Sequence, residues 1–475
     1  MSNFDASLLT PNFEPAEYIK PLFNVGAGLD IPTGYYINGR HGESILNGGV
    51  GYMTALVGRG NSFKSTIIHY MALSAMNNIF SSLSTTLMTY DTEVNMHETQ
   101  LQRFVNNFEY LSDKDIFRNG IWRISDKINY SAEKWWEEFK EYIKNKIKNK
   151  DKLTLETPFI DRDGVSLYKM IVPTFCQIDS FSELETSDVI KIQDENELGD
   201  SGGNTIHMRQ GLAKTRIFME LPRILSSSKN FLFITAHVGQ DNTIQSGPIA
   251  LPPPKKISTM KSGDKIKGVT DKFFFHMSNA WQSMKSDPLI NQTTKGAEYP
   301  IDPSLQESGD VDLYCVSLKL LRSKSAQSGS SIDLIVSQRE GVLPSLTEFH
   351  LIKTMDRFGL SGNNVNFHLD LMPDVNLTRP TIRSKLANDA KLRRALTITS
   401  ELAQITRLWK NTPKELLCTP KELYDDIKNK GYDWDILLNT RGWWTFNNDK
   451  HPIPYLSTMD LLNMRLGLYK PYWLK

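Results

Sequence analysis

The residues with the most chemistry to offer are Lys64 and Ser65, which sit near the end of the run Gly58-Arg59-Gly60-Asn61-Ser62-Phe63-Lys64-Ser65-Thr66. An apolar stretch, Tyr52 to Val57, leads into this run and a helix-like segment follows it. Polyphosphate charge is best held by backbone N–H groups converging at a helix N-terminus, with a lysine reaching the outer phosphates and a hydroxyl on magnesium. Gly58 permits the sharp turn, Lys64 supplies the cation and Ser65 the metal-ligating hydroxyl. The glycine that usually precedes the lysine is Phe63 here. A pattern broken at one position recurs by chance, so its surroundings must decide.

Three further apolar runs end in residues that this chemistry needs. Leu87 to Tyr90 runs into Asp91-Thr92-Glu93, Thr174 to Ile178 into Asp179-Ser180, and Phe231 to Thr235 into Ala236-His237. In a parallel sheet all strand C-termini lie on one edge, where open α/β folds bind ligands. That edge would gather Lys64, Ser65, Glu93, Asp179 and His237 around one ATP. Asp179 would hold a magnesium-bound water, since magnesium keeps most of its hydration shell. Glu93 would orient and deprotonate the attacking water, and His237 would hydrogen-bond the γ-phosphate and register its loss. Taken singly, each carboxylate also suits a helix cap or turn and the histidine a structural role; the joint order of loop, Glu, Asp and His is what argues for a site.

The segment from Ile31-Pro32 through Gly48-Gly49-Val50-Gly51-Tyr52, followed by the loop with Ser62-Phe63-Lys64-Ser65, resembles the RecA-type recombinases of large tailed phages, the UvsX-like group. The resemblance continues through Tyr90 to Glu93, Ile178-Asp179-Ser180, Gly199 to Gly202, Ile234 to His237 and Leu321-Arg322-Ser323-Lys324, covering about Ile31 to Gly341. It implies a RecA-like P-loop ATPase core and a DNA-dependent ATPase that coats single-stranded DNA as a helical filament and pairs it with a homologous duplex. Glu93 matches the family's catalytic glutamate, Asp179 its magnesium-site aspartate and His237 its sensor. Arg322 and Lys324 match a basic pair that reaches a neighbouring subunit's ATP; a solvated strand edge would also place cations there.

Two segments fit the family's DNA loops by position: about 195–209, with three glycines and Arg209 at its end, and about 238–272. The second carries Lys255, Lys256, Lys261, Lys265, Lys267 and Lys272 against Asp241, Asp264 and Asp271, a local excess of positive charge suited to a phosphate backbone. Pro252-Pro253-Pro254 and its extra length depart from the family. A surface excursion whose lysines aid solubility has the same composition.

The elements that must carry these residues are legible in outline. The 475 residues, 40% of them hydrophobic, are enough for one large core and a smaller domain. The expected fold is α/β: a mostly parallel twisted sheet flanked by helices, with an N-terminal arm (1–30), a core (31–359) and a smaller, mainly helical C-terminal domain (360–475). The arm is aromatic and aperiodic and packs either on a neighbouring subunit or as a strap on its own domain. Trp136, Phe139, Ile143 and Ile147 recur at helical spacing within Ser131 to Lys152, and the lysines that end this stretch complement a helix C-terminus. Ser286 to Asp312 reads as a surface hairpin or insertion. Thr412-Pro413-Lys414-Glu415 and Thr419-Pro420-Lys421-Glu422 each read as a helix start with a capping box. Packing is the expected use of the tryptophans near the C-terminus.

Formal charge is +1, from 55 basic and 54 acidic side chains, so any nucleic-acid site must be local. Cys176, Cys315 and Cys418 are widely spaced and form neither a disulfide framework nor a metal motif, leaving magnesium as the only expected metal. No secretory signal or membrane-length apolar run is present, so the expected setting is intracellular, the host cytoplasm if the protein is viral. Expected partners are single-stranded and homologous double-stranded DNA and further copies of the chain, with single-strand-binding and loader proteins open. A ring-forming replicative helicase or an ATP-dependent assembly scaffold would use the same type of core. Nothing before residue 30 forms a helicase-type N-terminal domain, and Glu93 argues against a scaffold.

Overall fold

In a computed structural model of the chain the described residues are 17–80, 85–126, 131–195, 206–240, 257–269, 272–302, 304, 309, 311–408 and 412–474. Among them the largest sheet has ten strands. In chain order these are β1 (Met53–Gly58), β2 (Leu87–Asp91), β3 (Trp122–Ser125), β4 (Thr174–Asp179), β5 (Asn230–Gln240), β6 (Asp264–Ile266), β7 (Asn279–Pro288), β8 (Leu313–Ser323), β9 (Ser331–Ser337) and β10 (Gly341–Val342). The spatial order is β10-β9-β8-β7-β1-β5-β4-β2-β3, with β6 added antiparallel to β5. From β7 to β3 every neighbouring pair is parallel, and from β7 to β10 every pair is antiparallel. The architecture is thus α/β, a large mostly parallel mixed sheet flanked by helices.

Burial explains the parallel half. Every residue of β1 is buried, and β4 and β5 are nearly so, as strands covered on both faces must be. The covering helices include α1 (Lys64–Phe80), α2 (Ala132–Lys148) and α3 (Ile206–Ser228). α2 starts where the sequence predicts, with Ser131 accepting a hydrogen bond from Lys134 N. Its inward face is Trp135, Trp136, Phe139 and Ile143, but Ile147 turns outward and Lys146 takes the next inward position. Lys146 Nζ donates to Thr174 Oγ1 (2.9 Å) and the Lys229 carbonyl (3.3 Å), so this lysine of the basic tail is a core residue.

The arm is a strap on its own domain over residues 17–30. Phe23 bridges Val50 and packs between Phe175, Phe231 and Trp444; its ring stacks on Trp444 at 4.9 Å. Phe4 and Phe13 lie outside the described residues. Trp444 Nε1 donates to the Leu22 carbonyl (3.0 Å) and Trp444 and Tyr455 are buried, so these two C-terminal aromatics serve packing, whereas Tyr472 is exposed. A second apolar cluster joins Leu313, Ile335 and α4 (Pro344–Thr354) to α5 (Ala390–Leu408) and the helices that follow, so packing is continuous across residues 359 and 360.

The C-terminal part begins with a three-stranded antiparallel sheet, Leu360–Gly362, Asn366–Leu369 and Met372–Thr378, that the helical expectation omitted. Of the two expected capping boxes only that at Thr419 forms, with Thr419 and Glu422 bonded reciprocally. After Pro413 there is only a three-residue 3-10 turn, Lys414–Leu416, without a side-chain cap. The Ser286 to Asp312 expectation needs adjusting at its start: β7 continues to Pro288 and pairs with β8, and beyond it Ile290 bridges Ala297. No helix of the described residues is long and apolar enough to cross a membrane.

Candidate phosphate-binding site

β1 ends at Gly58, Arg59 to Phe63 form the connecting loop, and α1 opens at Lys64. Arg59, Gly60 and Asn61 are exposed; Ser62 and Lys64 are buried; Phe63, Ser65 and Thr66 are half-buried. The loop is braced from within, with Ser62 Oγ and Lys64 Nζ both donating to the Arg59 carbonyl (2.7 Å each) and Ser283 Oγ of β7 donating to the Ser62 carbonyl (2.9 Å). A Cβ on Gly58 would lie 2.6 Å from Ser62 Oγ, so a side chain there would displace the hydroxyl that braces the loop.

Phe63 explains how the broken pattern still folds. The position adopts φ +58°, as does Asn61 at +54°, the left-handed region where glycine is the usual occupant. For phenylalanine this costs roughly 1–2 kcal/mol. Its ring rests on Tyr314 of β8, centroids 4.9 Å apart, and the apolar contact offsets that cost.

The other strand ends converge beside the loop. Asp179 closes β4 almost fully buried; Thr235 Oγ1 donates to its Oδ1, and its Oδ2 has no hydrogen-bond partner among the described residues. Glu93 lies two residues beyond β2, yet its Oε1 is 2.9 Å from His237 Nε2 on β5. The intervening chain folds back across the end of β4: Thr92 N donates to the Asp179 carbonyl (2.9 Å), and Thr92 Oγ1 exchanges hydrogen bonds with Ser180 (2.8 Å each). Asp91 caps the Glu93 turn, its Oδ1 accepting from Glu93 N (3.1 Å) and its Oδ2 from Asn95 N and Met96 N (2.9 Å each).

Electrostatics favour charged groups here. Burial alone would raise the Glu93 carboxyl, but the His237 hydrogen bond and charge, with help from Ser180 and Lys64, hold it below its ordinary value. Burial lowers Lys64, and Asp179 and Glu93 oppose that shift. The arrangement can hold an anion at the loop, a cation or its water at Asp179 Oδ2, and a water beside an ionised Glu93.

Lys64, Ser65, Glu93, Asp179 and His237 therefore share one sheet edge. Arg322 and Lys324 do not. Arg322 pairs with Ala280, which stands beside Ala55, three residues before Gly58, whereas Ser283 stands beside Gly58 itself. Three strand residues displace Arg322 roughly 10 Å toward the opposite edge. There Arg322 is half-buried with Nε lacking a partner among the described residues, and Lys324 Nζ donates to the His276 carbonyl (3.2 Å).

The segment read as a second DNA loop is partly strand. Residues 238–240 and 264–266 pair as β5 and β6, with Lys265 opposite Gly239. The apolar character of Val238 and Ile266, both buried, makes this hairpin, which the lysine count obscured. Lys261, Lys265, Lys267 and Lys272 are exposed. Lys255 and Lys256 lie outside the described residues, as does most of 195–209; Arg209 falls in the first turn of α3.

Sequence reasoning passed over Asp91, Ser182, Thr235 and Lys214. Thr235 is two residues before His237 and so shares its strand face, a signal that was available. Ser182 Oγ accepts from His237 N (2.9 Å) and donates to the Lys267 carbonyl (2.9 Å), and no local pattern announces such a contact. Scanned against protein-family models the chain matches none, and a search of curated proteins returns no match.

Proposed function

We propose that the chain is a magnesium-dependent ATPase with a RecA-like core that coats single-stranded DNA as a helical filament and promotes homologous pairing and strand exchange. The observation that carries the ATPase reading is the convergence of Lys64, Asp179, Glu93 and His237 beside a phosphate-type loop at the carboxyl ends of parallel strands. The magnesium fit rests on the donor set: a buried Asp179 Oδ2 without a donor among the described residues and the Ser65 hydroxyl on the first turn of α1. Bound there, magnesium would neutralise phosphate charge and help align the transferring group.

The chain's own groups do the rest. Lys64 is desolvated, which strengthens its attraction for phosphate oxygens. Glu93 is kept ionised, the state that accepts a proton from an attacking water. His237 has a hydrogen bond that can pass from Glu93 to the γ-phosphate and return after its loss. The displacement of Arg322 and Lys324 from their own loop favours contact with ATP on a neighbouring copy, as a filament requires. The exposed lysines on and beside the hairpin that starts at His237 favour contact with a phosphate backbone.

The test is electron microscopy with long single-stranded DNA and a slowly hydrolysed ATP analogue, with ATPase rates measured with and without DNA. Helical filaments and DNA-stimulated turnover are expected, and Lys64→Ala should abolish turnover; full activity in that variant would remove the site. Changing Lys261, Lys265 and Lys267 together to Ala should reduce the salt slope of single-strand binding by about 2, at roughly 0.7 per phosphate contact. An unchanged slope moves the DNA site elsewhere.

A further inference from the structure

Away from the phosphate loop, Cys315 on β8, Asp333 on β9 and His350 on α4 bring a sulfur, a carboxylate oxygen and an imidazole nitrogen within 4.8 Å of one another. Register and packing produce the cluster. Ser317 pairs with Asp333 and Cys315 with Ile335, so Cys315 and Asp333 are diagonal neighbours on one face of the sheet. α4 packs against β9 and adds His350 from above, with its Nε2 3.9 Å from Cys315 Sγ. Ser317 Oγ donates to Asp333 Oδ1 (2.5 Å) and fixes the carboxylate, as outer hydrogen bonds do around metal ligands. His350 Nδ1 is buried with no hydrogen-bond partner among the described residues.

The same three residue types could make a nucleophilic relay, but the geometry differs. A relay needs the acid on the far ring nitrogen of the base, and here Nδ1 has no partner among the described residues. Asp287 stands directly across from Cys315 and Asp333 diagonal to it, so two carboxylates rather than a cation face the sulfur, the wrong surroundings for a nucleophilic thiolate. Both carboxylates instead create a negative potential at the sulfur, which suits a dication. Zinc–ligand bonds of about 2.0–2.3 Å put neighbouring tetrahedral ligands roughly 3.3–3.8 Å apart, close to the separation found between Cys315 and His350. A thiolate and an imidazole favour zinc over magnesium, which prefers oxygen.

We propose that Cys315, Asp333 and His350 form a three-ligand site for a zinc-class divalent cation that clamps α4 to the outer strands of the sheet. Asp287, directly across from Cys315 in the β7–β8 ladder and ion-paired with Lys285, is placed to orient a water in the fourth position. The site shares no residue with the phosphate loop and stands whether or not the chain hydrolyses ATP. Its cysteine, aspartate and histidine are too far apart in sequence to give a spacing motif, which is why the cysteines alone did not suggest it.

The test is a cobalt titration of the full chain in excess magnesium, followed by zinc competition. One cobalt per chain, with a thiolate-to-cobalt charge-transfer band that zinc abolishes, is expected. Cys315→Ser should lose that band, and Asp333→Asn should keep it but weaken binding by roughly tenfold or more, the loss seen even for outer partners. Cys418→Ser, at a buried cysteine elsewhere, should leave both unchanged. No thiolate band in the unmodified chain, or an undiminished band in Cys315→Ser, overturns the proposal.

Discussion

Replacing Glu348 by Gln should make the protein's stability less sensitive to alkali. Glu348 of α4 is buried in a cleft that also holds Asp30, Glu401 and Arg394, and its Oε2 accepts a hydrogen bond from Thr397 Oγ1 (2.9 Å). Burial, reinforced by the charges of Glu401 and Asp30, pushes its carboxyl up to about 8 against the opposing Thr397 bond and Arg394. Asp30 is likewise pushed up to about 7, chiefly by burial. In the unfolded chain Glu348 loses its proton near 4.5, so between 4.5 and about 8 the folded state binds more protons. Stability from this group is therefore fully present below 4.5 and is lost as pH rises through about 8. At about 1.4 kcal/mol per unit, that window bounds the effect on the order of 4–5 kcal/mol. Glu348→Gln keeps the volume and an acceptor for Thr397 but removes the titration. Urea unfolding at about pH 5, 7 and 9 should give near-equal stabilities at the first and a variant more stable by a few kcal/mol at the last. A difference that does not change with pH would mean that Glu348 is ionised in the fold against Arg394, and the account of the cleft would be wrong.

Two further changes test local readings. Thr419→Ala should cost about 1 kcal/mol in the same assay because it removes a formed capping box, whereas Thr412→Ala should cost no more than a few tenths because nothing there is capped. Lys214→Met should cost roughly 1–3 kcal/mol, since the buried ammonium donates to the carbonyls of Phe181 (2.9 Å), Ser182 (3.4 Å) and Gly268 (3.0 Å). Burial lowers Lys214 to about 8 from 10.5, so the folded state releases the proton first and wild-type stability should gain on the variant as pH rises between those values.

What the sequence disclosed and what it hid divide along physical lines. Apolar runs leading to Gly58, Asp91, Asp179 and His237 announce themselves, because continuous apolar runs have few alternatives and their change to polar residues is abrupt. The loop was legible despite Phe63, whose left-handed backbone is stabilised by Tyr314, more than two hundred residues away and invisible to a local pattern. The hairpin of β5 and β6 was hidden because three strand residues among many lysines leave little periodicity. Ile147 and Lys146 exchanged their expected places because a lysine can be buried when Thr174 and the Lys229 carbonyl receive its ammonium. The three-stranded sheet after Leu360 was missed because its strands are short and polar on one side.

The long-range contacts matter most where the strand ends meet the lysine hairpin. Phe181 N bonds the Thr235 carbonyl (2.9 Å), Ser182 Oγ joins His237 N to the Lys267 carbonyl, and Lys267 N returns to the His237 carbonyl (2.8 Å). Gly268 closes this unit: at φ +65° a Cβ there would lie 2.5 Å from the Ser182 carbonyl, and Lys214 ties that same carbonyl region to Gly268 from the other side. The end of β4, His237 and the segment carrying Lys265 and Lys267 are thus joined by main-chain and side-chain hydrogen bonds. On the proposed reading, these bonds give a change of partner at His237 a short connected route to the exposed lysines. A tethered hairpin serves that purpose better than the glycine- and proline-punctuated loop expected from composition, because its hydrogen bonds tie the Lys265 and Lys267 segment to the backbone of His237. The lysine count therefore mattered less than the way the hairpin is fastened, and the fastening residues, Ser182, Lys214 and Gly268, are those that no local sequence pattern singles out.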